Sequence, residues 1–393
     1  MSQINVRNLS NENDDGAPDI VGVSTFSATS YFVPPVGNTA QRPENPQGGD
    51  LRFNTDSASL EYYRGDTLGW SHIELIDSDL GGGTGSNTGV GARGFFAGGY
   101  GPSHVNSIEV ITIPTLGNSQ DFGDLSNNYS AGATTNDRTR GWYSGGNVPS
   151  NIDDMLYVTL SSLGNAVDSG FSLVAVTKGH PTGCSSSTRG VIMGGYNSSN
   201  NAIDVMQYHT IQTLGNAQDF GNLTAPRSYN GGNCNSSTRG LTIGGYSPSA
   251  PTRVNTIEYV TMASTGNSLD FGEISYEHNS SGSASNSTRG IIAGGRTPGD
   301  SVSIDYVTIA TLANATDFGD LNSVVNGDVG CCSSPTRCVI GGGGAPQGAE
   351  MLFVEIASTG NAVFFGELTV AKTSHSVESL QEPGIWSTGH GGL

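Results

Sequence analysis

Arg189-Gly-Val-Ile-Met-Gly-Gly195 and Arg289-Gly-Ile-Ile-Ala-Gly-Gly295 are one phrase written twice. The same arginine returns at Arg93, Arg140, Arg239 and Arg337, at intervals of 47 to 50 residues, each followed five positions later by a glycine pair. A fixed period near fifty marks a repeat architecture, whose units bury their apolar faces by stacking on one another. Between arginine and glycine the residues are apolar. This reads as a strand ending where two backbones crowd together, a place that suits glycine.

Further along each copy a second strand is expected, as in Ile108-Glu-Val-Ile-Thr-Ile113, Ile257-Glu-Tyr-Val-Thr-Met262 and Ile304-Asp-Tyr-Val-Thr-Ile309, where apolar and polar residues partly alternate. A Gly-Asn turn and a third strand follow, as in Gly117-Asn118 with Asp121-Phe-Gly123 and Gly266-Asn267 with Asp270-Phe-Gly272; Asn and Gly supply the positive φ of a tight hairpin. The aromatic is expected to pack between adjacent sheets. Copy two departs with Ser169 in place of Phe, and copy six has Phe364 in place of Asp. Small residues before the next arginine, as in Tyr229-Asn-Gly-Gly-Asn-Cys234, make a fourth strand near a crowded axis.

Four short strands per copy match a propeller blade of the kelch type. The expected fold is all-β: a six-bladed kelch-like β-propeller with a small β-rich N-terminal attachment region. Residues 1–80 form that region, 81–92 a Gly-rich linker, and 93–393 the propeller. The first copy lacks its inner strand, and Thr373-Ser-His-Ser-Val-Glu-Ser-Leu380 is expected to supply it and close the ring. Gly384-Ile-Trp-Ser387 imitates the start of another copy, so a partial seventh blade is the alternative.

Only 13% of the residues are charged, yet Ile, Val, Thr, Tyr and Phe recur in short runs, which argues for strands over disorder. The formal net charge of −19 and the lack of a basic cluster disfavour nucleic acid and anionic membrane surfaces as partners. No apolar run is long enough for a membrane helix, and no signal peptide is expected. Five cysteines, an odd number, argue against a complete disulfide framework.

Residues 1–80 do not share the repeat. Leu51-Arg-Phe-Asn-Thr-Asp56, Ser59-Leu-Glu-Tyr-Tyr63 and Gly69-Trp70 read as a β-hairpin and a third short strand, with turns near Asp56 and Gly65. So small a block is expected to fold against a partner or copies of itself.

The arginine column runs alongside a column of acids: Asp121, Asp168, Asp219, Asp270 and Asp317. An Arg–carboxylate bridge within or between blades, repeated with the architecture, is favoured over a charged ring at the axis. Cys184, Cys234 and Cys332 share one column with Thr88, Thr135 and Ala284 and are expected as buried small residues; Cys331 and Cys338 raise a metal site or disulfide as the lesser alternative. The seven histidines show no ligand spacing. No metal, cofactor or catalytic group is expected. Asn11–Gly16 begins like a calcium loop but has Gly22 at its twelfth position, Gly83–Gly89 lacks the phosphate-loop lysine, and Arg64-Gly-Asp66 has no context. Variable loops follow the glycine pairs, and their Tyr, Ser and Asn suit adaptable binding. The candidate binding residues are Tyr100, His104, Tyr196, Asn200, Tyr246, Arg296 and Asp300; the bland reading is ordinary surface turns.

Ser187-Thr-Arg-Gly-Val-Ile-Met-Gly-Gly-Tyr196, Ile304-Asp-Tyr-Val-Thr-Ile309, Asn314-Ala-Thr-Asp-Phe-Gly-Asp-Leu321 and His390-Gly-Gly-Leu393 together resemble propeller-like virion proteins of marine cyanobacterial phages. Thr39-Ala-Gln-Arg-Pro43 with Leu51–Asp56 resembles segments that phage tail-fibre and other virion proteins carry beside their distal domains. The resemblance implies a non-enzymatic, tail-fibre-like structural protein of the virion. Its N-terminal region would bind other virion proteins, and its propeller would face a host polysaccharide or receptor; a homo-oligomer is expected. The alternatives are a capsid decoration or structural tail component, and a glycan-active enzyme on a propeller scaffold.

Overall fold

The computed structural model describes residues 34–56, 59–72, 93–101, 103–137, 139–148, 150–160, 162–174, 179–229, 232–248, 252–296, 299–322, 329–343 and 348–372, and the backbone of 375–376, 379–380 and 384–387. The expected linker at 81–92, Thr88 and the calcium-like stretch at Asn11–Gly16 lie outside these residues. The chain divides into two compact units, Met1–Ile76 and Asp77–Leu393.

In the first unit, Leu51–Asn54, Ser59–Tyr63 and Trp70–His72 form the expected antiparallel sheet, and Val36–Gly37 adds a parallel edge strand. The two sequence phrases of this unit meet at one buried carboxylate, Glu61. It accepts hydrogen bonds from Arg42 (2.6 Å) and Asn54 (3.1 Å), while Arg52 lies 3.6 Å away. Asp56, at the end of the second phrase, accepts from the Thr39 N–H at the start of the first.

The second unit is all-β, built from antiparallel sheets of four principal strands, an arrangement compatible with a β-propeller. From innermost to outermost strand, sheet 3 is Thr182–Ser185, Arg189–Met193, Ile203–Thr210 and Gln218–Arg227. Sheets 2, 4, 5 and 6 repeat this order, with second strands beginning at Arg140, Arg239, Arg289 and Arg337. The innermost strands of sheets 2 to 6 lie against one another in sequence order, and Gly384–Ser387 lies against those of both sheet 6 and sheet 2.

Gly384–Ser387 is the innermost strand of sheet 1, paired antiparallel with Arg93–Ala97 from Gly384 opposite Ala97 to Ser387 opposite Gly94. This corrects the expectation for Thr373–Leu380. That segment instead pairs with itself, His375–Ser376 against Ser379–Leu380. A hairpin inserted after sheet 6 displaces the closing strand further along the chain. The segment that imitated another copy therefore completes the first, and Trp386, not Thr88, holds the register position of Cys184.

The Asp-Phe-Gly phrase is a β-bulge. In sheet 5, Asp305 pairs with Asp317 and Ile304 with Gly319, leaving Phe318 as the extra residue. Bulges re-aim side chains, and this one turns Phe318 into a core shared with Ile340, Val354 and Ile356 of sheet 6. Phe122, Phe220, Phe271 and Phe365 do the same, and Phe365 packs with Phe96 and Ile111, joining sheet 6 to sheet 1.

The glycine of that phrase answers to the next sheet's turn. Gly319 has φ +151°, and a Cβ there would sit 2.5 Å from the Gly360 carbonyl oxygen. Gly360 has φ +156° but open space where its Cβ would be. Gly319→Ala is therefore expected to cost about 3 kcal/mol or more and Gly360→Ala about 1 kcal/mol. Urea unfolding of the two variants checks this, and equal costs would refute the close approach.

Candidate functional site

Each sheet has two ends. The arginines and Gly-Asn turns lie at one, the loops after the glycine pairs at the other. At the arginine end every guanidinium reaches the next sheet. Arg93 donates to the Leu160 carbonyl, Arg140 to Ile211, Arg189 to Met262, Arg239 to Ile309, Arg289 to Ile356 and Arg337 to Ile113, at 2.7 to 3.2 Å. Five of the six also stack on an aromatic of their own third strand: Tyr157, Tyr208, Tyr259, Tyr306 or Phe353, at 4.3 to 4.8 Å. A second series runs alongside. Asn165, Asn216, Asn267, Asn314, Asn361 and Asn118 each accept a backbone N–H from the outermost strand of the sheet before. The last of these links run from sheet 6 to sheet 1.

The expected Arg–Asp bridges do not form among the described residues. Asp121, Asp168, Asp219, Asp270 and Asp317 are exposed on the outermost strands; for all but Asp168, which precedes Ser169, the bulge that turns Phe inward leaves the acid outside. The arginines have carbonyls and rings as partners in place of the aspartates, and Arg337 also meets a carboxylate within its own sheet, Glu355 at 2.9 Å.

The cysteines also have a packing account. A Cβ at Gly240 would collide with Cys184 Sγ, at Gly290 with Cys234 Sγ, and at Gly94 with Cys332 Sγ. Where the inner strand carries Ala284 instead, the following sheet carries Cys338 in place of glycine, and the two share one core. All five thiols are buried and none is in a disulfide, and burial pushes that of Cys184 up to about 12. No group of metal-ligating residues is present among the described residues.

At the loop end the candidate residues fall into four unlike arrangements. Tyr100 and His104 bridge across their loop with rings edge-on at 5.1 Å, and His104 Nδ1 lies 3.0 Å from Ser130 Oγ. Tyr196 packs edge-on at 5.1 Å against Tyr229, whose ring lies 3.9 Å from that of His180. Asn200 takes the left-handed position of its turn, with φ 57°. Tyr246 is about a third exposed and pairs with Arg253, which donates to Asn279 at 2.7 Å. Arg296 and Asp300 form a half-exposed ion pair at 3.1 Å.

His180, Tyr229, Arg253 and Asn279 belong to this end and escaped the sequence reading. His180 and Tyr229 occupy φ 54° and 49°, alongside Ala131 and Ser280 in one column. Bulky residues at such angles are strained and concentrate at functional positions. Their signal was the column of unlike residues just before each inner strand, where Tyr229 read as part of the strand. Beneath them His278 is buried, with Nε2 2.8 Å from Ser281 Oγ.

No family model matches this chain, and no curated protein matches it.

Burial lowers the pKa of both His278 and His209 to about 4, so both rings are neutral in the fold. The unfolded chain takes up protons first, near the ordinary value of about 6.5. Their contribution is therefore complete above that pH and is lost as pH falls from about 6.5 towards 4. Between pH 7 and pH 5 each is expected to cost roughly 2 kcal/mol. His209→Val, the residue at this column in Val158, Val260 and Val307, should remove about half of the loss in urea unfolding at the two pH values.

Lys372 and Glu109 pair at 2.8 Å, both buried, between the end of sheet 6 and sheet 1. Lys372→Met alone is expected to cost about 3–5 kcal/mol, by leaving a buried charge. Adding Glu109→Leu should recover at least half, since Leu156 and Leu352 fill that column in sheets 2 and 6. Thermal and urea unfolding of the single and double variants tests this.

Proposed function

We propose that the second unit is a closed six-bladed β-propeller of kelch-like repeats, and that the protein is a tail-fibre-like component of a phage virion. In this reading the loop end faces outward to recognise a host surface polysaccharide or receptor, and the N-terminal unit attaches the chain to other virion proteins. Two series of sheet-to-sheet hydrogen bonds, each returning from sheet 6 to sheet 1, support the closed ring. The resemblance of the repeat and N-terminal phrases to virion proteins supports the assignment to a particle.

One observation carries the recognition role. The arginine end repeats the same contacts from sheet to sheet, whereas the loop end of the same sheets presents four different arrangements of Tyr, His, Arg, Asn and Asp. A repeated scaffold bearing non-repeated polar and aromatic groups is the form of an adaptable binding surface. Tyrosine presents a large contact area at low entropic cost.

The test is a variant carrying Tyr196→Ser and Tyr229→Gly, the glycine being suited to the left-handed backbone there. Adsorption of the purified protein to host cells should fall at least about tenfold, a loss of roughly 1.4 kcal/mol, with the melting temperature held or raised. Unchanged adsorption would overturn recognition by this end. Immunogold labelling of residues 93–393 on intact particles tests the location: gold on the tail or its fibres supports it, and gold over the capsid turns the reading to decoration.

A further inference from the structure

At the arginine end the turns seat on the sheet before them in one register. Gly164, Gly266, Gly360 and Gly117 donate their N–H to the carbonyls of Phe122, Phe220, Phe318 and Phe365, at 2.7 to 3.0 Å. Two residues further on, Ala166, Ser268, Ala362 and Ser119 donate to Asp124, Asn222, Asp320 and Glu367, so the paired segments run parallel. The residue before each glycine therefore lies beside the residue before each phenylalanine. Three of these seams set Leu163, Thr265 and Thr359 beside Asp121, Asp219 and Asp317. The fourth, from sheet 6 to sheet 1, sets Leu116 beside Phe364. Phe364, its neighbour Val363 and Leu116 are 53%, 58% and 61% exposed. Leu163, also largely exposed, borders the same hollow as Leu116. Single exposed apolar side chains are ordinary, but a patch that gathers several marks an interaction site.

We propose that this seam is a docking surface for a second protein, whose contacting segment joins large apolar side chains to Lys or Arg. The fold itself does not call for the patch, since Asp and Thr fill the same two positions at the seams from sheet 3 to sheet 4 and from sheet 5 to sheet 6. The charge around it selects the partner. The described cations of sheets 6 and 1 are Arg93, Arg337 and Lys372. Arg93 and Lys372 are buried, and Arg337 pairs with Glu355. Asp121 and Glu367, on the outermost strands of the same two sheets, are exposed. Apolar area bounded by acids is matched by an apolar segment with a basic rim. A second copy of this chain would set these acids against their own kind, in a protein of net charge −19, and is the poorer occupant. An anionic membrane is disfavoured for the same reason. Docking here leaves the loops at the other end of the sheets open.

The probe is a synthetic amphipathic peptide of Leu and Lys, titrated onto the full chain by fluorescence anisotropy at physiological salt. Its control is the same peptide with Glu in place of every Lys. The Lys peptide should bind, and the Glu peptide should bind at least about tenfold more weakly. Phe364→Asp with Leu116→Thr writes the residues of the other seams into this one. That variant gains a negative charge, so general attraction to lysine would tighten binding, whereas loss of the apolar contact should weaken it at least about tenfold. Both side chains are exposed, so the melting temperature should hold. Val363→Gln, with the residue that sheets 1 and 3 carry as Gln120 and Gln218 at this register, should weaken binding about threefold with no change of charge. No binding by the wild type, or equal or tighter binding by the double variant, would overturn the surface. Equal binding of the Glu peptide would overturn the basic partner. Dimerisation of the wild type in sedimentation velocity, lost in the double variant, would give the face to a second copy and overturn the assignment to a different protein.

Discussion

The second unit depends on a hydrogen bond that no sheet makes by itself. Each arginine opens the second strand of one sheet, and its guanidinium ends on a carbonyl just past the third strand of the next. A bond from a charged donor contributes more than a neutral one, on the order of 1.5–3 kcal/mol, and the ring beneath five of the guanidinium groups adds a cation–π contribution. The geometry fixes how far adjacent sheets are rotated and separated, because the fork must meet the carbonyl and the ring together. The glycine of the bulge and the glycine beside the arginine then follow as steric consequences of that spacing.

Departures from the repeat show how strict the spacing is. Cys338 stands where glycine is otherwise required, and Ala284 opposite it is smaller than the cysteine of the neighbouring columns. The sulfur has moved across the interface, and the total volume differs from that of the Cys–Gly pairs by one methyl group, as close-packed interiors demand of such exchanges. The column of Glu109 behaves likewise in charge. Glu109 meets Lys372 and Glu258 meets Arg227, whereas Leu156 and Leu352 hold the same position with no charge to balance. Asp305 of sheet 5 holds it too, accepting from the N–H and hydroxyl of Ser275, so each acid in this layer is met by a cation or by hydrogen-bond donors.

Much of this was legible in the residues. The arginine period, the apolar run to the glycine pair and the Asp-Phe-Gly phrase located strands two to four of each sheet, because strand alternation and turn chemistry are local properties. Partners across sheets were not local. Sequence displayed six arginines and five aspartates in parallel columns, and charge alone joined them; the bulge, which reverses the side on which Asp emerges, has no signature beyond the phenylalanine it delivers. The closing strand was misplaced for a similar reason. Thr373–Leu380 is the spare segment that follows the sixth copy, and the inserted hairpin becomes evident only once Gly384–Ser387 is seen paired with Arg93–Ala97. At the loop end, the residues following the glycine pairs were found because they vary, but His180 and Tyr229 arrive from the preceding connection and join them only in space.

Why variation gathers at that end has a physical reason. There an N–H of the glycine pair is tied to a backbone carbonyl: Gly99 donates to the Tyr129 carbonyl, Gly195 to Arg227, Gly245 to His278 and Gly343 to Lys372. Carbonyls at these four positions belong to a tyrosine, an arginine, a histidine and a lysine, so the bond places no demand on the side chain. At the arginine end the bond runs through side chains, and a change there disturbs two sheets. The loop end can therefore accept new groups at small cost to the scaffold. It holds a histidine and a tyrosine at angles that favour glycine, where the same column elsewhere carries Ala131 and Ser280. What distinguishes those two residues is the aromatic cluster they build with Tyr196, a contact between neighbouring connections that the arginine end, with its repeated partners, has no place for.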